Sequence, residues 1–363
     1  MLGGGVFVTQ NKTLPGSYIN FVSAGSTTSA IGERGSVAVV LDLGKIAQGE
    51  PNRVIECTKS EYLSNGSEIV GFNPHDDSTT SVAKIVLNEI FCHANKVYVY
   101  DGDPTSNDVI EKAFDAFESY EFNVICCLET TSAIVGAYRD KIMDWRDNIG
   151  KKCQLVVGNA SNTPTNHEGI INVMASVEQT SAGMSEYVDT ILAAWVAGAE
   201  AGCKVNESCT NMLYDGELTI IVDKTQAQLE QCIKSGQITF HLVYGEVRML
   251  EDVNTLTNFT ADKGEDFKYN QTIRVIDQIA NDIAKLFNTK YLGKIPNNAS
   301  GRVSLWADIV AHHRELESIQ AIESFDATLL TVEQGATKKS VVVNDVITVV
   351  NAMGQLYMTV VVQ

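Results

Sequence analysis

The chain has 363 residues, 44% hydrophobic and 20% charged, with a net charge of −18. That length bounds it at two or three domains with a sizeable core, and that charge excludes a basic nucleic-acid face and attraction to anionic membranes. No apolar run of about 18 residues is present to span a bilayer, and MLGGGVFVTQ lacks the basic and long apolar regions of a secretory leader.

Residues 1–13 are glycine-rich and then polar, and Leu14–Ser17 reads as a turn. Tyr18–Val22 is a short strand, and the small polar residues 23–30 after it read as a flexible tether. From Gly35 the pattern is α/β. Strands are expected at Ser36–Leu43, Lys96–Tyr100, Phe122–Leu128, Gln154–Val157, Gly169–Met174 and Leu218–Val222. Helices are expected at Ser81–Ala94, Asn107–Tyr120, Thr131–Asn148, Ser185–Gly202 and Thr225–Ser235. Two more strands flank Gly245 between Ile238 and Leu250. Alternating strands and helices predict a βαβ layer with parallel strands. Small residues around Ala193–Ala197 allow another element to approach closely.

Beyond Glu251 the alternation stops and the pattern becomes α+β. Asp266–Lys290 reads as a long helix, with Ile276, Ile279, Ile283, Leu286 and Phe287 on one face. Its charges Asp277, Asp282 and Lys285, with Arg302, Asp308, Arg314, Glu315 and Glu317 of a second helix at Ser300–Ile319, are expected on a solvated face or a docking surface. A strand is expected at Ala327–Val332. The chain ends in two β-rich runs, Val341–Val350 and Leu356–Val362, about Asn351–Gly354, a hairpin pattern. A bare apolar edge strand is an aggregation hazard. The terminal run therefore pairs within its own sheet or is completed by another chain.

Motifs that would carry catalysis are sparse. The sharpest is Asp101-Gly102-Asp103-Pro104-Thr105 after an apolar strand, the form of the DxDxT loop of haloacid-dehalogenase-type phosphatases. There the first aspartate attacks phosphorus and the second is the general acid. Mg²⁺ would sit between Asp101 and a later carboxylate, Thr130 would end the next strand, and Lys151 or Lys152 would offset phosphate charge. The late acidic pair of that family is missing, and Asp, Gly and Pro are also what a solvated turn needs. His312 and His313 are adjacent on a helix, about 100° apart, which disfavours one shared metal site; His313 lies on the apolar stripe and reads as a packed histidine. Asn166-His167-Glu168-Gly169 reads as a turn into a strand or as an acid/base pair. The eight cysteines have irregular spacings and no CxxC pair, so they are expected as reduced core residues of a cytosolic protein. No cofactor motif is found.

Three stretches together, LPGSYINF (Leu14–Phe21), NHEGIINV (Asn166–Val173) and Val253–Thr257 leading into ADKGEDFKYNQTIRVIDQIANDI, resemble the tail sheath proteins of contractile-tailed phages. The likeness is to the short sheaths of phages and phage-tail-like particles of Gram-positive bacteria, and it is strongest over 236–363. It implies a structural protein, not an enzyme, forming six-fold discs that stack helically around a tail tube and contract to drive it through the host envelope. It implies an N-terminal arm (1–30), an acidic α/β outer or middle domain (31–250), an inner α+β lattice-forming domain (251–354) and a donated C-terminal strand (355–363). Tyr18, Ile19, Phe21, Val22, Tyr357, Thr359, Val360 and Val362 would be donated to neighbouring copies. Val341, Val343, Ile347 and Val349 would accept them, joined by backbone hydrogen bonds. Arg302, Arg314 and Glu315 would face the tube, with the Asp266–Lys290 helix as the rival surface. Partners would be other copies, the tail tube, baseplate and terminator proteins, in a virion tail assembled in the host cytoplasm. A non-contracting self-assembling shell is the other structural reading.

Overall fold

Apolar residues gather into three cores, one on each face of the main sheet and one in the last third, in the computed structural model, which describes residues 31–43, 53–66, 77–160, 166–179 and 187–362. Strands Ser36–Leu41 (β1) and Val54–Thr58 (β2) are followed by helices Lys59–Ser64 (α1) and Asp77–Phe91 (α2). Then come Lys96–Asp101 (β3), helix Asn107–Phe117 (α3), Val124–Cys127 (β4), helix Ser132–Asp144 (α4), Gln154–Gly158 (β5) and Ile170–Val173 (β6). Ser176–Val177 (β7), helix Leu192–Gly202 (α5), Ile220–Ile221 (β8), helix Gln226–Lys234 (α6) and Gln237–Ile238 (β9) complete the first unit, with a hairpin of Phe240–Val243 (β10) and Glu246–Met249 (β11).

Seven of these strands form one sheet in the order β2-β3-β1-β4-β5-β6-β9. All neighbours are parallel except the edge pair β2–β3. The interior strands are apolar on both faces because helices cover both. Val37, Val39, Val97 and Val99 pack with α2 and α5; Ala38, Ile125, Leu155 and Val157 pack with α3 and α4. The βαβ expectation is met, with β2 and α1 resolving a stretch whose sequence is mixed. Residues Leu192–Ala201 of α5 are all buried. A Cβ on Gly198 would lie 2.3 Å from the Ile90 carbonyl oxygen, so glycine is what lets α2 and α5 touch. This is the close approach that the small-residue run predicts, moved a few residues on.

The last third is built on two helices, Asn270–Leu286 (α7) and Ala299–Ser318 (α8), with short strands Ile322–Glu323 (β12), Thr331–Gln334 (β13), Val341–Asn344 (β14) and Thr348–Val349 (β15). The third core gathers Val275, Ile279 and Ile283 of α7 with Leu305, Ile309 and Leu316 of α8. Strand β13 starts four residues later than the Ala327–Val332 expectation, after a turn in which the Asp326 carboxylate accepts from the Thr328 amide and hydroxyl. The terminal hairpin does not form. β14 pairs antiparallel with β13 and β15 with β12, so the expected Val341–Val350 run is two short strands in two two-stranded sheets. Among the described residues no helix is long and apolar enough to cross a membrane.

Candidate functional site: one helix that holds both chain ends

Helix α7 begins inside the protein. Asn270, Gln271, Thr272, Arg274, Asp277 and Gln278 are buried, although they are polar. Each has a partner, as burial of a polar group requires. Arg146, in the turn after α4, makes a bidentate pair with Asp277 (Nη1–Oδ2 2.6 Å, Nη2–Oδ1 2.8 Å) and donates to the Cys153 carbonyl. Arg274 Nη2 donates to Glu200 Oε2 at 2.5 Å and to Asp252 Oδ2 at 3.3 Å. Burial, and then the neighbouring Asp252, push the Glu200 carboxyl well above its usual range. Burial also opposes ionisation of Asp252, but Arg274 and the hydrogen bond from Glu200 hold it below its usual value. Arg274 thus sits between two carboxyl groups that the site treats oppositely: burial favours the uncharged form of Glu200, and Arg274 favours the charged form of Asp252. Sequence pattern placed Asp277 and Asp282 on a solvated face or a docking surface; instead Asp277 is buried against Arg146 of the α/β unit, and the half-buried Asp282 faces Gln278 of its own helix and His312 of α8.

The same helix fixes where both chain ends leave the body. Its first turn holds the C-terminal exit: Gln271 Nε2 donates to the Val350 carbonyl (3.2 Å), Gln271 Oε1 accepts the Ala352 amide (2.9 Å), and the Thr272 hydroxyl donates to Asn351. Three turns on, the Asp282 carboxylate accepts the Gly32 amide (3.1 and 3.2 Å) where the described chain begins. Beyond Ala352, residues 353–362 have no regular structure and lie exposed. Leu356, Tyr357, Val360, Val361 and Val362 are 68–89% exposed. The donor residues Tyr357, Thr359, Val360 and Val362 are thus unpaired. Of the acceptors, Val341, Val343 and Val349 lie in strands that each have one open edge, and Ile347 lies in the turn between β14 and β15. Tyr18, Ile19, Phe21 and Val22 lie outside the described residues.

Two of the three sequence stretches singled out above, Asn166–Val173 and the one from Val253, meet here; Leu14–Phe21 lies outside the described residues. Asn166 Oδ1 accepts the amides of Thr257 and Asn258, and the Thr255 hydroxyl donates to the His167 carbonyl. Gln154 Nε2 bridges the Glu168 carbonyl and Asn270 Oδ1. Asn166-His167-Glu168-Gly169 is therefore a structural clasp at the turn into β6, not an acid/base pair facing a substrate. Asp147, His167 and Glu168 bring three ligand-type atoms within 4.8 Å. However, His167 Nδ1 accepts the Gly169 amide (2.9 Å), so Nε2 carries the ring proton and has no lone pair for a metal. Lys263 already neutralises Glu168 at 2.7 Å. At the other acidic cluster, Glu200, Cys209 and Asp252, Arg274 is the resident cation.

The DxDxT residues do not converge. Asp101 is buried rather than in a solvated turn, and its Oδ1 accepts the Leu43 amide at 3.1 Å. Asp103 is occupied by the amide and hydroxyl of Thr105. Thr130 follows β4 at the same end of the sheet. Lys151 and Lys152 precede β5, hence lie at the opposite end of a parallel sheet. There Lys151 caps the carbonyls of Phe117, Glu118 and Tyr120.

Of the tube-facing candidates, Arg302 donates to Asn297 and Arg314 to Glu317, and Arg314 lies 5.3 Å over the Phe325 ring. Arg314 is exposed, while Arg302 and Glu315 are half-buried. The rival helix has its first half inside the protein and offers no such face there. His313 is fully buried against Phe325, as a packed histidine should be. The 100° between His312 and His313 does not keep their rings apart: the two Nδ1 atoms are 3.4 Å from each other. Arg146, Glu200, Asp252 and Arg274 were missed by sequence reasoning, since a single charged residue in an apolar stretch gives no sign of its distant partner.

The family model described as the phage tail sheath protein central domain matches residues 103–255, and that of the phage tail sheath C-terminal domain matches 262–363. The chain belongs to the phage tail sheath family. Among curated relatives, the tail sheath protein of Clostridium phage phiCD119 is 26% identical over 61% of this chain and 60% of its own length. The phage-like element PBSX protein XkdK of Bacillus subtilis is 28% identical over 62% and 49%. The chain spans about half the length of the first curated relatives it matches. The fold is that of solved sheath proteins: the sheath tail protein from Desulfitobacterium hafniense has a TM-score of 0.71 at 24% identity, covering 92% of this chain and 100% of that one. The anti-feeding prophage helical sheath in its contracted state has a TM-score of 0.69 at 14% identity, covering 96% and 99%.

Proposed function

We propose that this chain is the structural subunit of a contractile tail sheath, polymerising around a tail tube through strands exchanged between copies and shortening to drive the tube through the host envelope. The observation that carries the reading is the C-terminal segment. Ten residues of strand-forming, apolar sequence leave the body at a fixed point and lie unpaired in solvent, next to two sheets of two strands each. Two-stranded sheets are marginal alone, and an open edge is a template for another chain. A second copy's Tyr357–Val362 would complete the sheet at the edges that Val341, Val343 and Val349 leave open. Residues 1–30 would supply a second linking strand from the Gly32 exit. The domain division is then an arm (1–30), an α/β unit (31–250) that carries most of the acidic charge and faces outward, an inner unit (251–354) and the donated strand (355–363). Partners would be other copies in six-fold discs, the tube, baseplate and terminator proteins, in a virion or phage-like tail assembled in the host cytoplasm, with Arg302, Arg314 and Glu315 toward the tube. No catalytic step is part of this reading.

Deletion of 355–363 tests it. The full chain, concentrated in moderate salt that screens its charge, should form hollow striated tubes by negative-stain electron microscopy. The truncation should stay folded by circular dichroism and remain monomeric. Normal tubes from the truncated chain would sink the strand-exchange reading; a single lattice spacing, with and without tube and baseplate, would favour a shell that does not contract.

A further inference from the structure

One corner of the C-terminal unit is basic in an acidic chain. The chain carries a net charge of −18, yet residues 287–307 and 334–344 contain no aspartate or glutamate and include Lys290, Lys294, Arg302, Lys338 and Lys339. The fold brings the two segments together. Asn297 Nδ2 donates to the carbonyls of Lys338 (3.1 Å) and Ser340 (2.8 Å), and Arg302 Nη1 donates to Asn297 Oδ1 (3.0 Å). Lys290 is paired with Asp308 at 2.6 Å. Lys294, Lys338 and Lys339 are exposed, and none of the three is in an ion pair among the described residues. Of the carboxylates nearest along the chain, Asp345 is engaged by His313 at 2.6 Å, which leaves the exposed Glu333 to offset one of the three charges. Leu292, Ile295 and Val303, in the first of the two segments, are also exposed.

The complementary surface lies on the other unit of the same chain. Helix α3 buries Ile110, Ala113, Phe114 and Phe117. Helical periodicity then turns Asp108, Glu111, Asp115 and Glu118 to the opposite side, and all four are exposed. Lys112 pairs with Asp108 at 2.6 Å. Glu111, Asp115 and Glu118 have no ion-pair partner among the described residues, so the stripe keeps three unmatched negative charges. At 1.5 Å per residue they span about 10 Å of the helix. Within one chain the stripe does not pair with the lysines of the corner.

We propose that the α3 stripe of one copy docks on the corner of Lys294, Lys338 and Lys339 of a second copy. The contact joins two different patches, so it is head-to-tail and repeats around a ring or along an open helix. It is a contact between folded bodies and stands whether or not end strands are exchanged. Copies repel one another through their net charge, but at about 0.15 M salt that repulsion is screened beyond about 8 Å. Opposite patches brought into contact lie inside that distance, where they set register and exclude arrangements that place like charges together.

Three variants of the full chain test it, with assembly followed by light scattering at about 0.15 M salt. Lys338→Glu with Lys339→Glu makes the chain more acidic, Glu111→Lys with Glu118→Lys makes it less acidic, and the four changes together return it to −18. Self-repulsion through net charge alone predicts opposite effects: the first pair hinders assembly and the second promotes it. Docking predicts that each pair raises the concentration needed for assembly about tenfold or more, because like charges then face each other. It also predicts that the four changes together recover most of that loss. All four side chains are exposed, and unchanged melting temperatures show that the bodies are intact. A second pair that assembles as readily as the wild type, or more so, would overturn the docking. So would a fourfold variant no better than either pair, or a wild-type chain that stays monomeric at every concentration. Loss of tubes on deleting 355–363, with the charge variants assembling normally, would remove this contact and leave strand exchange standing.

Discussion

Removing one member of the Arg146–Asp277 pair should cost far more than removing both. The pair is 4% and 7% exposed, with two short, parallel N–H···O contacts and a third bond from Arg146 to the Cys153 carbonyl. In Arg146→Met the buried Asp277 carboxylate keeps its charge and loses both donors. In Asp277→Leu the guanidinium is stranded against one carbonyl. Breaking a buried pair from one side costs about 3–5 kcal/mol, whereas an apolar pair of similar volume is often neutral or better. Each single variant should thus lose about 3–5 kcal/mol, and the double variant Arg146→Met with Asp277→Leu should recover most of it. Urea unfolding followed by pulse proteolysis measures this, read separately at sites in the α/β unit and beyond residue 262, because a chain of this size need not unfold in one step. A single-variant loss under about 1 kcal/mol, or a double loss equal to the sum of the singles, would refute the reasoning that the pair is a desolvated joint.

At the second buried cluster, Glu200→Gln should cost far less than Asp252→Asn, because burial favours the uncharged form of Glu200, while Asp252→Asn should cost about 3–5 kcal/mol by leaving Arg274 uncompensated; denaturant titration separates the two. The raised Glu200 pKa contributes stability that is complete below its unfolded value and declines as pH rises, so Glu200→Gln should also flatten the alkaline side of the stability profile. His167 has the opposite sign. Burial lowers its pKa, so the stability it carries is present above about pH 6.5 and lost as pH falls through the folded value, and His167→Gln should reduce the acid-side slope of melting temperature against pH. Gly198→Ala would press a methyl against the Ile90 carbonyl at 2.3 Å; overpacking of that kind costs about 1–3 kcal/mol, visible as a lower melting temperature without loss of helix at low temperature.

Much of the α/β sheet was legible because its interior strands are apolar on both faces and helices such as α3 and α4 carry one apolar stripe. Both patterns have a single structural cause, burial against a neighbouring layer, and a sequence displays them locally. Helix α7 was legible as a helix but not as a joint. Ile279 and Ile283 mark the face toward α8, and by the same rule Asp277 and Asp282 are expected on a solvated face or a docking surface. The rule assumes one buried face. α7 has two, and the second is buried by Arg146, Glu200, Asp252 and Arg34, residues that are distant in sequence and unremarkable where they stand. The end of the chain failed in another way. Val341–Asn344 and Thr348–Val349 are strands, but 353–362 has no regular structure: a hairpin pattern records only propensity, and among the described residues Tyr357–Val362 has no strand beside it.

The polar character of α7 bears on how such a body would move. An apolar helix face tolerates sliding, because dispersion and burial change little over a small shift. A face built from bidentate and single hydrogen bonds does not, since each bond fails within a fraction of an ångström. Gln271 and Asp282, the anchors of the two exits, are eleven residues apart on this one helix. At 1.5 Å per residue their separation along the axis is about 16 Å, and the bonds around Arg274 and Asp277 fix that axis relative to the sheet. If neighbouring copies hold the two end strands, the exits act as a rigid pair. A change in lattice spacing would then rotate whole bodies about the segments outside those anchors, residues before Gly32 and after Ala352, and leave α7 itself unbent. A glycine pair replacing Ile279-Ala280 would weaken the rod between the anchors. Under this reasoning such a chain should still exchange strands and form tubes, but with a broader spread of helical rise, measured by diffraction of tube images, than the wild-type chain gives.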